Sequence, residues 1–253
     1  MKLIALGTTG YHPNDRRQTA CYMIPEIGLV LDAGTGAYRI RKYLQGDSLD
    51  IYLSHAHLDH VMGITFLFDV LHERNVSVAR VHGVREKLSA IKEHLFATDL
   101  FPLLPPIEWH PLESRQEVGG KGQLTTFPLE HPGGSIGFRI DWPGFSMAYV
   151  TDTRADVAAD YVAKIENVDL LLHECYFRDE YRDFAVRSGH SCTTPVCEVA
   201  QAAQVGRLVL VHINPLDESD DPVDLAKARS IFSDTDVAFD GMEIDLPIAP
   251  AGD

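Results

Sequence analysis

Short apolar runs alternate along this chain with segments whose apolar residues recur at helical spacing. The runs at 3–6, 20–24, 29–32, 51–54, 78–82, 124–128, 136–141, 146–151, 168–173, 207–212 and 237–239 predict strands. The segments at 38–45, 64–73, 84–96, 155–165, 194–205 and 223–232 predict helices. Strands interleaved with helices indicate α/β organisation. Trp142-Pro143-Gly144-Phe145 predicts a tight turn between two antiparallel strands, and Asp221-Pro222 predicts a capped helix start. No internal repeat or low-complexity tract interrupts the pattern. One stretch departs from it. Residues 95–106 are apolar but broken by prolines, so they cannot form a long helix. We expect them to cover the core, with the mouth of a cleft or a homodimer contact as the alternatives.

The strand at 51–54 runs into His55-Ala56-His57-Leu58-Asp59-His60. Three imidazoles and a carboxylate packed this closely are costly to fold unless something binds them. Imidazole nitrogen and carboxylate oxygen suit zinc, and also iron or manganese. On an extended chain alternate side chains share a face, so His55, His57 and Asp59 would project together and His60 the other way. One short loop could then serve two adjacent metals.

His-x-His-x-Asp-His at a strand end resembles the signature of the metallo-β-lactamase fold superfamily. Further landmarks follow in order: Asp32 in Leu31-Asp32-Ala33-Gly34, His131 in Glu130-His131-Pro132-Gly133, Asp152 in Thr151-Asp152-Thr153, and His212 after Val211. The resemblance implies an αββα four-layer sandwich with a dinuclear metal site at one edge. It implies one metal on His55, His57 and His131, a second on Asp59, His60 and His212, and Asp152 bridging them. Asp32 would orient a residue of the metal loop. Two ions so placed would present a bridging hydroxide as nucleophile and clamp the oxygens of an in-line displacement. Zinc is the first expectation for the two divalent ions, with manganese or iron as alternatives.

Two more stretches narrow the branch. Leu172-His173-Glu174-Cys175 and Gly189-His190-Ser191-Cys192 are similar to stretches of the ribonuclease Z group, on the phosphodiesterase side of the superfamily. The resemblance implies that His190 is a general acid oriented by Glu174, because a carboxylate on an imidazole fixes its tautomer and raises its basicity. Asp59 is the alternative proton carrier. His72, His82, His94 and His110 are read as structural, and His12 lies in the loop after the first strand.

Composition bounds the reading. The chain has 253 residues and 45% apolar content, which suits one large domain spanning 1–253. No apolar run approaches the roughly 20 residues of a membrane span, and the start reads as a first strand rather than a signal peptide. Cys21, Cys175, Cys192 and Cys197 form no Cys-x-x-Cys pair, so free thiols in a reducing cytoplasm are expected. The net charge of −15 argues against a surface coated for polyanions. Arg39, Arg41 and Lys42 on the 38–45 helix are read as a solvated face. Ribonuclease Z enzymes grip transfer RNA with a basic, glycine-rich arm. In the bacterial short forms it lies between the third histidine and the bridging aspartate. Here two strands and their turn fill that interval, which argues against folded transfer RNA as a partner. The expectation is a metal-dependent phosphodiesterase for small or cyclic phosphodiesters or RNA ends. The alternatives are a lactone or thioester hydrolase, and a non-hydrolytic protein of cofactor biosynthesis or binding.

Overall fold

The computed structural model describes residues 1–72, 74 and 76–248. Two seven-stranded sheets face each other. The first contains β1 (Lys2–Gly7), β2 (Cys21–Ile24), β3 (Leu29–Leu31), β4 (Ser48–Tyr52), β5 (Val78–Gly83) and β6 (Glu108–Pro111). The second contains β7 (Arg115–Val118), β8 (Gly122–Leu129), β9 (Ser135–Trp142), β10 (Phe145–Val150), β11 (Leu170–Glu174), β12 (Arg207–Val211) and β13 (Thr235–Val237). The last strand, β14 (Glu243–Asp245), returns to the first sheet beside β1. Strand order is β14-β1-β2-β3-β4-β5-β6 in one sheet and β13-β12-β11-β10-β9-β8-β7 in the other. The run β3–β6 is parallel, and so is the run β10–β13.

Alternation along the strands builds three cores. Leu170, Leu172, Val209 and Val211 point between the sheets, where they meet Tyr22, Leu29, Leu31 and Tyr52. Leu171, Leu208 and Leu210 point outward beneath the helices of the second sheet. Val30, Leu49, Ile51 and Val81 do the same for the first sheet. Strands buried on both faces read as continuous apolar runs, which is why they were visible in the sequence. Each fully buried aliphatic side chain contributes about 1.5–3 kcal/mol.

The α-helices are α1 (Ile40–Tyr43), α2 (Leu58–Val61), α3 (Leu67–Leu71), α4 (Arg85–Ala90), α5 (Arg182–Ser188), α6 (Thr193–Ala202) and α7 (Leu225–Ile231). The expected helix at 38–45 is split, with 3-10 turns at Thr35–Arg39 before α1. The 64–73 segment is likewise a 3-10 turn, Met62–Phe66, followed by α3, and its expected end at residue 73 lies outside the described residues. The 84–96 helix continues past α4 as a π turn, Ile91–Leu95.

The helix expected at 155–165 does not form. The Asp156 carboxylate accepts the Ala158 N–H at 2.9 Å, and the chain makes turns with a single 3-10 turn at Val162–Lys164. An aspartate that bonds its own backbone two residues on competes with helix. The helix start expected at Asp221-Pro222 lies further on: α7 begins at Leu225, its N-cap is Asp224, whose carboxylate accepts the Lys227 N–H at 3.3 Å, and Asp221 accepts the Leu225 N–H from before the cap. The strand expected at 237–239 is shifted to Thr235–Val237. In the 95–106 stretch Phe96 and Phe101 pack on the core, while Leu100, Leu103 and Leu104 stay exposed. Among the described residues no helix is long and apolar enough to cross a membrane.

Candidate metal centre

Parallel strands carry their loops at the carboxyl ends, and open α/β sheets place ligands there. Asp32 follows β3, His55 follows β4, Asp152 follows β10 and His212 follows β12. Asp32, Asp152 and His212 all take left-handed backbone, with φ of 57°, 47° and 54°. That conformation turns the chain sharply off the strand. Asp and His are among the few residues with a side chain that tolerate it. His131 comes from the loop between β8 and β9.

The chain is extended through His57 and becomes helical at Leu58. Alternation therefore ends at His57. His55 and His57 share one group of donors, as expected. Asp59 does not join them; it turns with His60 into a second group. The expectation that these two would project oppositely is thereby corrected.

The donor atoms converge on two points. In the first group, His131 Nε2 lies 3.3 Å from His57 Nδ1 and 3.4 Å from Asp152 Oδ2, and His55 Nε2 lies 3.5 Å from the same oxygen. In the second, His60 Nε2 lies 3.1 Å from His212 Nε2 and 3.4 Å from Asp59 Oδ2, with His212 Nε2 3.3 Å from that oxygen. Asp152 Oδ1 is 3.1 Å from His60 Nε2 and 3.2 Å from His212 Nε2. Asp152 thus turns one oxygen to each group. A tetrahedral ion with bonds of about 2.0–2.1 Å holds its donors roughly 3.3–3.4 Å apart. The observed spacings bracket that value. In addition, His55 Nε2 is buried without a hydrogen-bond partner, a state that costs about 1–3 kcal/mol. The donor set fits divalent metal in two adjacent positions.

The surrounding bonds aim these nitrogens. Buried Asp32 accepts from Ser54 N–H at 2.7 Å, Ser54 O–H at 2.8 Å, Tyr149 O–H at 2.8 Å and His60 Nδ1 at 2.7 Å. The Ser54 hydroxyl, its proton given to Asp32, lies 3.0 Å from His55 Nδ1. His131 Nδ1 donates to the Gly189 carbonyl at 3.0 Å. The contacts at His55 and His131 place the proton on Nδ1 and leave the Nε2 lone pair facing the centre, and the Asp32 contact turns His60 Nε2 the same way. Gly10 is required by close approach: a Cβ there would stand 2.1 Å from the His212 ring.

Charge is arranged to match. Burial pushes the His55 imidazole below its ordinary range, and neighbouring His60 adds to that. Burial also lowers His57 and His131. His60 runs the other way: burial lowers it, but the carboxylates of Asp152, Asp59 and Asp32 outweigh burial and hold it protonated. Asp152 and Asp59 are held ionised, because nearby imidazoles outweigh the burial that would raise them.

Beside the donors, Glu174 is fully buried and accepts the Thr153 N–H at 2.7 Å and the Ser191 N–H at 3.2 Å. Its Oε1 meets His190 Nδ1 at 3.1 Å. Burial lowers the His190 pKa, but Glu174 outweighs it and the value stands at about 9. The Tyr176 ring stacks on His190 at 4.6 Å and 18°. His190 also groups with Asp152 and His212 as a potential ligand set. It therefore faces the two donor groups. His173 is buried against Tyr161 and the Glu174 carbonyl, and points away from the donors. His12, His82 and His110 stand outside both donor groups. Sequence reasoning did not single out Ser54, Tyr149 or Tyr176. Only Tyr176 had a signal, since it lies two residues after Glu174 on an extended chain.

The model of the β-lactamase superfamily domain matches residues 29–213, a span that holds every donor named above. The chain belongs to the β-lactamase superfamily. Among this superfamily protein's relatives is ribonuclease Z of Archaeoglobus fulgidus, 25% identical over 303 aligned positions that cover 97% of this chain and 97% of the relative. That alignment is longer than this chain, so the relative carries segments the chain lacks. Among solved structures, the superfamily protein superposes on YhfI of Bacillus subtilis with a TM-score of 0.79 at 20% identity, covering 96% of this chain and 99% of the other. The human short-form tRNase Z gives 0.74 at 20% identity, with coverage of 98% and 100%. A diphosphatase of the PhnP family gives 0.73 at 16% identity, with coverage of 98% and 99%. These superpositions establish the shared fold.

Proposed function

We propose that this protein is a metal-dependent hydrolase and, within that class, a phosphodiesterase for small or cyclic phosphodiesters or RNA ends. The whole chain, 1–253, would act as one catalytic unit, because both sheets contribute donors. His55, His57 and His131 would hold one divalent ion, and Asp59, His60 and His212 the other, with Asp152 shared. Zinc is the first choice, with manganese or iron as alternatives. Bound ions would supply Lewis acidity and an activated water.

The observation that carries the phosphodiesterase reading is the His190–Glu174 pair. Two backbone N–H groups hold the Glu174 carboxylate, and the carboxylate holds His190 Nδ1. Nε2 is then free to meet a phosphate oxygen and to give its proton to the departing alkoxide. A His-Glu pair fixed in this way suits a leaving group that needs protonation. The ribonuclease Z relatives point the same way.

Folded transfer RNA is a poor candidate. β9 and β10 are joined directly by a two-residue turn, Pro143-Gly144, so nothing projects between His131 and Asp152. The net charge of −15 offers little to a polyanion. Four buried free thiols suit a reducing cytoplasm.

Elemental analysis of protein purified without chelator, followed by assay of a phosphodiester, a lactone and a thioester, tests the reading. We expect up to two transition-metal ions and preference for the diester. A lactone hydrolysed ten times faster than any diester would overturn it.

A further inference from the structure

Beside the metal centre lies a cavity of about 750 Å³ with five Tyr and Phe rings in its walls, set among polar and charged side chains that include Arg178, Asn214, Asp217 and Glu218. It shares His190 and Tyr176 with the centre. From His190 a series of rings leads outward. Tyr176 lies 4.6 Å from His190, Phe177 4.8 Å from Tyr176, and Tyr181 6.2 Å from Phe177. Phe184 on α5 and Tyr11 from the loop after β1 add two more rings to the walls.

Three of these rings are costly where they stand. Tyr11 is 76% exposed, Phe184 58% and Tyr181 47%. Tyr11 also takes left-handed backbone, at φ 57°. That is uncommon for a bulky side chain, and such strain persists where the surroundings fix it. The fixing contact is visible: the Tyr11 N–H donates to Asp59 Oδ2 at 2.6 Å. The same bond that steadies a metal donor therefore holds the Tyr11 ring at the cavity mouth. None of the three aromatic rings is needed for the core.

We infer that this cleft binds the non-reacting part of the substrate and takes a planar aromatic group, a nucleobase first of all, against Tyr11, Tyr181 and Phe184. The volume lies within the usual range for small-molecule sites, about 300–1,000 Å³. Base-on-aromatic stacking uses the π face that every base has and is tolerant of sequence. The inference rests on the phosphodiesterase reading, since it names the class of diester: one bearing a nucleoside rather than a bare sugar or alkyl group.

The test has two arms, both on the full chain. In the first, calorimetry compares AMP with ribose 5-phosphate. We expect AMP to bind more tightly, and Phe184→Ala or Tyr181→Ala to weaken AMP alone by about 5- to 150-fold, the equivalent of roughly 1–3 kcal/mol per stacked base. Phe184→Trp should retain AMP binding. In the second, kcat/KM is compared for 2′,3′-cyclic AMP and for the methylribose cyclic phosphate that lacks the base. We expect the variants to lose activity on the first and keep it on the second. Equal AMP and ribose phosphate binding in the wild type would overturn the inference. So would an equal fall for both diesters in the variants. AMP binding that behaves as stated while no diester is hydrolysed would leave the cleft standing and overturn the phosphodiesterase reading. A dimer that Phe184→Ala dissociates, with AMP binding untouched, would assign this face to a second copy of the chain and overturn the inference.

Discussion

His60 Nδ1 lies 2.7 Å from Asp32 Oδ2, and both side chains are closed off from water. Asp32 accepts four hydrogen bonds in all, so it aims His60 and ties Ser54 and Tyr149 to the same point. Asp32→Asn keeps the shape but presents an amide N–H where a donor already points. We expect affinity at the second metal position to fall 10- to 100-fold, as for other partners of metal-bound histidine. Unfolding stability should drop by about 1–3 kcal/mol from the mismatched buried donors. Metal titration and denaturant unfolding read the two effects separately. Unchanged affinity would show that the aspartate only packs.

Metal uptake should release protons. Without metal, His60 holds a proton because three carboxylates surround it, despite burial. Its folded pKa is raised, so its contribution to metal-free stability is complete below about 6.5 and is lost as pH rises through the raised value. A metal needs the same nitrogen unprotonated. Affinity for Zn²⁺ should therefore increase with pH across the range where His60 would otherwise keep its proton. Proton release on adding Zn²⁺ to weakly buffered protein checks this. Uptake with no proton release would place the ion elsewhere.

His190→Ala separates proton transfer from metal binding. General acid help is worth roughly 10²–10⁴-fold. The loss should reach that range on a diester with a poor alkoxide leaving group and be smaller on an aryl diester, with metal content unchanged. Glu174→Gln should give a milder defect of the same kind. Loss of metal in His190→Ala would instead make His190 a ligand, through its grouping with Asp152 and His212.

The His190 pKa of about 9 also sets an alkaline limb. The acid form is present below that value and disappears above it. Bound cations nearby disfavour a second positive charge, so the loaded enzyme should lose activity at lower pH than the metal-free imidazole titrates. Histidine NMR with and without Zn²⁺ gives the comparison. A titration that metal moves upward would contradict it.

Transfer RNA precursors should bind weakly, because no arm projects and the net charge is −15. Anisotropy titration at two salt concentrations measures this. Tight binding with a steep salt slope would direct attention to Arg39, Arg41 and Lys42.

The strands that carry the centre were legible because both their faces are buried. Leu170, Leu171 and Leu172 are apolar in succession for that reason. β6, β7 and β14 were not, since they are short and mostly polar, with few buried positions. α5 buries only Ala185, so its pattern carried no apolar stripe. The donors were legible through spacing and order. The family resemblance grouped Asp59 with His60, but alternation alone set them apart, because alternation gives way to a helical turn at Leu58 and no local residue announces that turn. The aromatic cleft escaped notice because Tyr11 is far along the chain from Tyr176 and Phe184 and meets them only once both sheets are in place.

Left-handed backbone at Asp32, Asp152 and His212 has a consequence for what the chain could become. At these strand ends two alphabets must be satisfied at once, that of residues at ease with positive φ and that of residues able to serve a metal or its partners. They share few letters, chiefly Asp, Asn and His. Cysteine is a good zinc ligand but lacks that ease. His55, His57, His60 and His131 do not have left-handed backbone. A histidine-to-cysteine exchange should therefore be accommodated by the fold at His131 and resisted at His212. If these residues hold metal as proposed, a change of ligand, and with it of metal, would come from the loop histidines, while Asp152 and His212 stay as they are.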